Sequence, residues 1–374
     1  MTDIYQELAG YLDTLPAGYP PAEDGVEVRI LEHLFTRQEA EIALHLTLID
    51  EEVRVVAFRA RRPVEEVAEV LAAMDRKGLV DCNHIDEDRP RYSISQFVIG
   101  FYEGQVNRLD HPLVEMFEAY APTFFQEGPW QEVPQIRTIP VMEAIPITSE
   151  VMPYEHIEKI IRSKKEFAVR NCVCRQEQQL LHKGCDSPME TCIQFDGAAR
   201  GTVASGKGRR ISQDEALEII HQAQKAGLVL QPANSKDPIF LCACCSCCCG
   251  VLRSIKNSPH PSRLVVNPFI NRHHPERCTN CGACLKICPM DALYVLDGAI
   301  SLNQERCIGC GLCVSVCASH AVEIVRKPDA ERVHIPANIV ETYSRMGLKS
   351  GRWNYPGMIG MVLRSYWHRL IAPR

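Results

Sequence analysis

Residues 278–317 carry one cysteine pattern twice: Cys278-x2-Cys281-x2-Cys284-x3-Cys288-Pro289, then Cys307-x2-Cys310-x2-Cys313-x3-Cys317. Two-residue gaps let three consecutive thiolates reach three corners of one small cube. The fourth Cys of each run is carried away by a short helix toward a second cube. The spacing therefore predicts two [4Fe–4S] clusters. Cys278, Cys281, Cys284 and Cys317 are expected to hold one, and Cys307, Cys310, Cys313 and Cys288 the other. Zinc also accepts C-x2-C pairs, but a duplicated four-Cys run in this register points to iron–sulfur chemistry.

Small residues inside the runs agree. Gly282, Ala283, Gly309 and Gly311 let backbone N–H groups approach the sulfides, which is one lever on reduction potential. Between the runs, residues 291–302 alternate as a β-hairpin with Asp297-Gly298 at its turn. Residues 268–327 thus resemble the bacterial two-cluster ferredoxin domain, which implies strands and a short helix around each cube. Ala318 stands where that family usually has Pro after the fourth Cys.

The chain of 374 residues is long enough for two or three domains with real cores. Its 47 acidic and 41 basic side chains give no sign of a nucleic-acid protein overall. The first residues lack basic side chains and an apolar run, so no export signal is expected. The apolar stretch 238–252 is short for a bilayer span. Nineteen Cys without such a signal suggest a reducing, cytoplasmic setting where thiols serve metals. Cys82 reads as a small buried hydrophobe.

Residues 27–110 read as helices over 36–49, 51–60 and 64–77, the last opened by Pro63 and stopped by Gly78, then strands at 79–82 and 91–95 around a polar loop. This order is similar to a winged helix-turn-helix. The segment holds 17 acidic and 11 basic side chains, and Glu65, Glu66, Glu69 and Asp75 lie on the helix that would enter a groove. Affinity for DNA draws on neutralised phosphates, so a protein-binding or dimerisation module is expected and DNA binding is not.

Residues 111–153 form a Pro-rich connector (Pro122, Pro129, Pro134, Pro140, Pro146, Pro153), expected to be extended. A second Cys-rich region follows over 154–260. Its first segment, 154–167, reads as a helix. Ten thiols gather here: Cys172, Cys174, Cys185, Cys192, Cys242, Cys244, Cys245, Cys247, Cys248 and Cys249. Neighbouring Cys of an extended run point to opposite sides, so the 242–249 run does not easily serve one cube. One or two further Fe–S clusters fit best, drawing on a subset of these thiols, with structural zinc as the alternative. Ser212 and Glu215 form a capping box for a helix closed by Gly227. Gly201-x4-Gly206-Lys207 has a P-loop's spacing, but Gly208 replaces the Ser or Thr, so a flexible basic loop is expected. Asn171-Cys172-x-Cys174-Arg175 and the later Cys run, placed before two four-Cys runs, resemble ferredoxin-like proteins of anaerobes. That resemblance covers most of residues 135–320 and implies cofactors without naming a substrate.

The expected class is α+β: a winged-helix-like module (27–110), the connector (111–153), an irregular Cys-rich domain (154–260), a two-cluster ferredoxin domain (265–330) and a basic amphipathic tail (331–374). From Thr342 onward no residue is acidic, and Trp353 and Trp367 are aromatic anchors. The tail could cover the chain's own core, dock on an acidic partner or lie peripherally on an anionic membrane. No dinucleotide fingerprint or catalytic triad is visible, and the His273–His274 pair reads as surface. The expected function is single-electron transfer with redox protein partners. A redox-sensing regulator and an enzyme built on an unusual central cluster remain the alternatives. A fragment spanning 265–330, reconstituted anaerobically, is expected to bind about eight iron per chain by elemental analysis. Binding of zinc alone would refute the cluster reading.

Overall fold

The computed structural model describes residues 3–83, 89–141, 144, 152–328 and 334–373. The chain divides into two compact units: residues 1–133, 197–209 and 343–374, and residues 134–196 and 210–342. Helix and strand are mixed in the α+β manner.

The first unit begins with α1 (Ile4–Asp13), α2 (Val26–Leu34) and α3 (Arg37–Ala43). A capping box starts α3: Thr36 Oγ1 accepts from the Glu39 N–H, and the Glu39 carboxylate accepts from the Thr36 N–H at 2.8 Å. The helix ends at Ala43 rather than running to residue 49, and Glu51–Glu52 form strand β1 instead of opening the next helix, α4 (Val53–Ala60). Next come α5 (Val64–Lys77), β2 (Val80–Asn83) and β3 (Arg91–Ile94). Helix α5 buries Val67, Val70, Leu71 and Met74. Gly78 ends it at φ +76, where a Cβ would lie 2.4 Å from the Gly104 carbonyl oxygen. The strands pair antiparallel in the order β1-β3-β2. Cys82, opposite Tyr92 on this sheet, is half-buried rather than fully enclosed.

Residues 111–127, expected to be extended, form the 17-residue helix α6 (His111–Glu127). Asp110 Oδ1 accepts from the Leu113 N–H at 3.0 Å, and Pro112 occupies the first turn, where its missing N–H costs nothing. Pro122 removes one interior hydrogen bond, but Phe117, Tyr120 and Phe124 are buried on the same helix and pack around Phe97. Pro146 lies outside the described residues.

The second unit opens with extended chain, as expected: Ile136 and Ile139 bridge to Ala233 and Leu230. Its elements are α7 (Ile157–Arg162), β4 (Phe167–Asn171), α8 (Val173–Leu180) and β5 (Glu190–Phe195). The helix expected over 154–167 is thus confined to 157–162, and Phe167 starts a strand. Residues 197–209 belong to the first unit, where helix α9 (Asp196–Ala204) takes in Gly201, so the first part of the P-loop-like stretch is helical rather than loop. Strand β6 (Arg209–Ile211), helix α10 (Gln213–Lys225), β7 (Val229–Pro232), β8 (Phe240–Cys244) and α11 (Gly250–Asn257) follow. Ser212 Oγ caps α10 by accepting from the Glu215 N–H at 3.1 Å. The sheet order is β6-β4-β5-β8-β7, over a core that includes Ile160, Phe195, Ile220 and Leu241.

Residues 269–326 repeat one unit at an interval of 29 residues, the separation of Cys278 and Cys307. The elements are β9 (Phe269–His273), α12 (Ala283–Ile287), β10 (Leu293–Leu296), β11 (Ala299–Leu302), α13 (Leu312–Ser315) and β12 (Val322–Arg326). Strand β9 pairs antiparallel with β12, and β10 with β11 through the expected turn, where Asp297 and Gly298 have φ of 50 and 77. Positive φ recurs at matching positions: Asn280 and Gly309, Gly282 and Gly311, Asp291 and His320.

Two terminal helices complete the chain, α14 (Ile339–Lys349) and α15 (Tyr355–Ile371). Helix α15 turns its polar side inward. Ser365 Oγ donates to Glu51 Oε1 at 2.6 Å, and Arg369 donates to the Asp50 carbonyl at 2.6 Å. Tyr355, Ile359, Val362, Leu363, Tyr366, Trp367 and Leu370 are each more than half exposed. Helix α15 therefore adds no apolar face to a core, whereas α14 places Met346 in a core cluster with Ala17 and Val133, in keeping with the first of the tail's three expected roles. Among the described residues, no helix is long and apolar enough to cross a membrane.

Glu51 is fully buried and ion-paired with Arg59, which is itself only 12% exposed. Removing the carboxylate strands the guanidinium. Glu51→Ala is expected to lower stability in urea by about 3 kcal/mol, and Ser365→Ala by about 1 kcal/mol.

Candidate metal centres

Two cavities sit inside the repeated segment. One is lined by Cys278, Cys281, Cys284 and Cys317, the other by Cys288, Cys307, Cys310 and Cys313. Each cavity thus draws three thiols from one run and its fourth from the other. The exchange follows from the repeat: each run ends in a short helix, α12 or α13, that carries its last Cys across.

The donors around these cavities suit bound sulfur clusters. The Ala292 N–H donates to Cys288 Sγ at 3.2 Å, and the Ala321 N–H donates to Cys317 Sγ at 3.2 Å. The two runs therefore end alike although Pro289 follows one and Ala318 the other. Asn271 Nδ2 donates to Cys313 Sγ at 2.9 Å, while its Oδ1 is buried without a partner. Burial pushes the thiols of Cys284, Cys310 and Cys313 up, so ligation there must release protons. Burial also raises Cys317, but hydrogen bonds from the Ser319 hydroxyl and the Ala321 and Val322 N–H groups outweigh it.

The ten central thiols separate into two groups. Cys172, Cys174, Cys192, Cys242, Cys244 and Cys249 form a chain of thiol contacts, in the order Cys172–Cys174–Cys249–Cys244–Cys242–Cys192, with Cys192, Cys244 and Cys249 buried and the other three half-buried. Cys192 faces Cys242 across β5 and β8. Cys242 and Cys244, two apart on β8, share a strand face. Cys172 caps α8 and Cys249 caps α11, placing two helix N-termini against the group. Contacts with Cys174 and Cys244, helped by the Leu252 and Val251 N–H groups, hold Cys249 well below the usual thiol range. Cys192 is lowered to about 5 by Cys242, by Arg170 and by Gln194, whose Nε2 donates at 3.2 Å.

The second group is Cys185, Cys245, Cys247 and Cys248, whose sulfurs all lie within 4.8 Å of one another. Residues 245–248 form a turn closed by Cys249 N–H donating to the Cys245 carbonyl at 3.1 Å, and Cys185 reaches it from the loop after α8. Burial raises Cys185, but Ser187, Cys248 and Cys245 bring it down to about 6.

Arg175 stands between the groups. Its guanidinium is fully buried and donates to the carbonyls of Pro188 at 2.7 Å and Ala243 at 2.8 Å and to Thr191 Oγ1. Burial opposes its charge, but Cys172, Cys245 and Cys244 raise its pKa overall.

Sequence reasoning did not assign roles to Arg170, Arg175, Gln194 or Asn271, because each meets its sulfur only after the sheets form. It also placed His273 on the surface. His273 closes β9, lines the Cys278 cavity and buries an unpartnered Nε2, whereas His274 is bound to Glu323 at 3.1 Å. Alternation along β9 was the usable signal, since Asn271 and His273 share a face.

Residues 270–318 match the family model described as a 4Fe-4S dicluster domain. Together with the Cys-rich centre, this marks an iron–sulfur protein with a general role in electron transfer. No curated protein and no solved structure matches the chain.

Gly282 and Gly309 both have positive φ, yet their surroundings differ. A Cβ at Gly309 would lie 2.4 Å from the Phe269 carbonyl oxygen, whereas at Gly282 it meets only Leu285, at 3.9 Å. Gly309→Ala is expected to remove roughly half of the dicluster iron, that of one of two four-iron sites, while Gly282→Ala retains it at about 1 kcal/mol of strain. Iron analysis of both purified variants checks this.

Proposed function

We propose that this chain relays single electrons through two [4Fe–4S] clusters, one in each dicluster cavity, and through a further iron–sulfur cluster in the central six-thiol group. The observation that carries the reading is the pair of cavities with exchanged fourth thiols. A [4Fe–4S] cluster, when bound, takes up and releases one electron at a time. The protein's part is to hold thiolates, exclude water and direct N–H groups at sulfur. Strand β9 supports a relay because Asn271 and His273, roughly 7 Å apart along it, line the two different cavities.

Six central thiols exceed what one cubane needs. That excess favours a second reading, an enzyme whose active site is an unusual cluster at Cys172, Cys174, Cys192, Cys242, Cys244 and Cys249. The order helix, β1, α4, α5, β2, β3 supports a winged-helix-like module at the N-terminal end. The exposed Glu65 and Glu69 on α5 favour a protein partner over DNA.

Anaerobic iron and sulfide quantitation with EPR-monitored redox titration tests the proposal. Iron confined to about eight atoms per chain would remove the central cluster, and zinc in its place would remove the relay. One hydrogen bond to a ligand sulfur stabilises the more negative, reduced cluster. Asn271→Leu removes such a bond while keeping the shape. It is expected to lower the potential of the cluster bound by Cys313 by about 40 mV, the equivalent of about 1 kcal/mol for one electron. The other cluster's signal should stay in place in the same titration.

A further inference from the structure

We propose that Cys185, Cys245, Cys247 and Cys248 hold a single tetrahedral zinc ion, at a site separate from the iron–sulfur positions. The sulfur spacing carries this. Cys185 lies 3.7 Å from Cys245 and 3.6 Å from Cys248, and Cys247 lies 3.8 Å from Cys248. Four thiolates at about 2.3 Å from one central ion occupy tetrahedral corners about 3.8 Å apart. A cubane spreads its four thiolates over four separate irons and needs them farther apart. The molecule supplies its own ruler: among the described residues, no other set of three or more metal-ligating side chains closes to within 4.8 Å. The eight thiols of the dicluster cavities stand wider.

Donor chemistry agrees with the spacing. Four soft thiolates with no carboxylate or imidazole form a closed set typical of structural zinc. Four thiolates around a divalent ion leave two negative charges. Arg175, buried beside Cys245 and hydrogen-bonded to it, is placed to offset them. Such an ion would tie the turn after β8 to the loop after α8. Cys244 and Cys249 flank that turn, and α8, which leads into that loop, begins at Cys172 and carries Cys174 in its first turn. The zinc site would therefore brace the frame of the six-thiol group without belonging to it.

The inference does not rest on the electron-transfer reading, and the experiment separates them. Full-length protein is purified anaerobically, passed over a chelating resin and analysed for zinc and iron together. One retained zinc per chain, with zinc-edge X-ray absorption showing four sulfurs at about 2.3 Å, is the expected result. Cys247→Ser and Cys185→Ser should each weaken zinc retention at least tenfold against a chromophoric chelator, with iron content unchanged. Protein free of zinc, zinc with fewer than four sulfurs, or iron at this position in any form overturns the proposal. So does a Cys247→Ser variant that loses iron and keeps zinc. The absorption measurement needs no variant, so a substitution that fails to fold does not leave the question open.

Discussion

Burying thiolate charge is the constraint on which the second unit depends. Every Cys except Cys82 falls in that unit. A desolvated thiolate is costly unless a cation, a metal or N–H groups face it. The chain meets that need differently in each place. Backbone N–H groups and Asn271 serve the dicluster cavities. Helix N-termini, Arg170 and Arg175 serve the central thiols. Strands β5 and β8 and helices α8 and α11 are arranged so that their ends converge where charge collects.

The repeated segment shows how little of a sequence must be shared for two sites to agree. Asn280 answers Gly309, His320 answers Asp291, and Ala318 answers Pro289, yet φ is positive at both members of the first two pairs, and an Ala N–H four residues after each fourth Cys meets its sulfur. What the repeat preserves is backbone direction around sulfur. Where the halves differ, as at Gly309 against the Phe269 carbonyl, the difference lies in what the neighbouring chain leaves free.

The grouping of the eight dicluster Cys around two cavities was legible because it is local: three Cys within seven residues need only a loop of the right length. The Asp297-Gly298 turn and the Ser212 cap were legible for the same reason. The central thiols were not, because Cys185 meets Cys245 across 60 positions and Cys192 meets Cys242 across two strands. Alternation foretold that the 242–249 run would not act as one set. Only the turn at residues 246–248 decides which sulfurs go to which side. Helix α6 was missed because Pro122 was weighed as a breaker, whereas buried aromatic packing outweighs one lost hydrogen bond. The role of helix α15 stayed open because inside-out amphipathicity leaves the same periodic pattern as the ordinary kind.

The exchange of fourth thiols between the two cavities also bears on biosynthesis. As the chain leaves the ribosome, Cys278, Cys281 and Cys284 emerge as a three-sided cup, and Cys288 emerges beside it facing a cup that does not yet exist. The first cup gains its last wall only when residue 317 has been made, after the whole second run. The two halves therefore close as a clasp, each holding the other's final piece. A nascent chain halted between residues 288 and 307 has an open edge at both sites and nothing with which to seal either one.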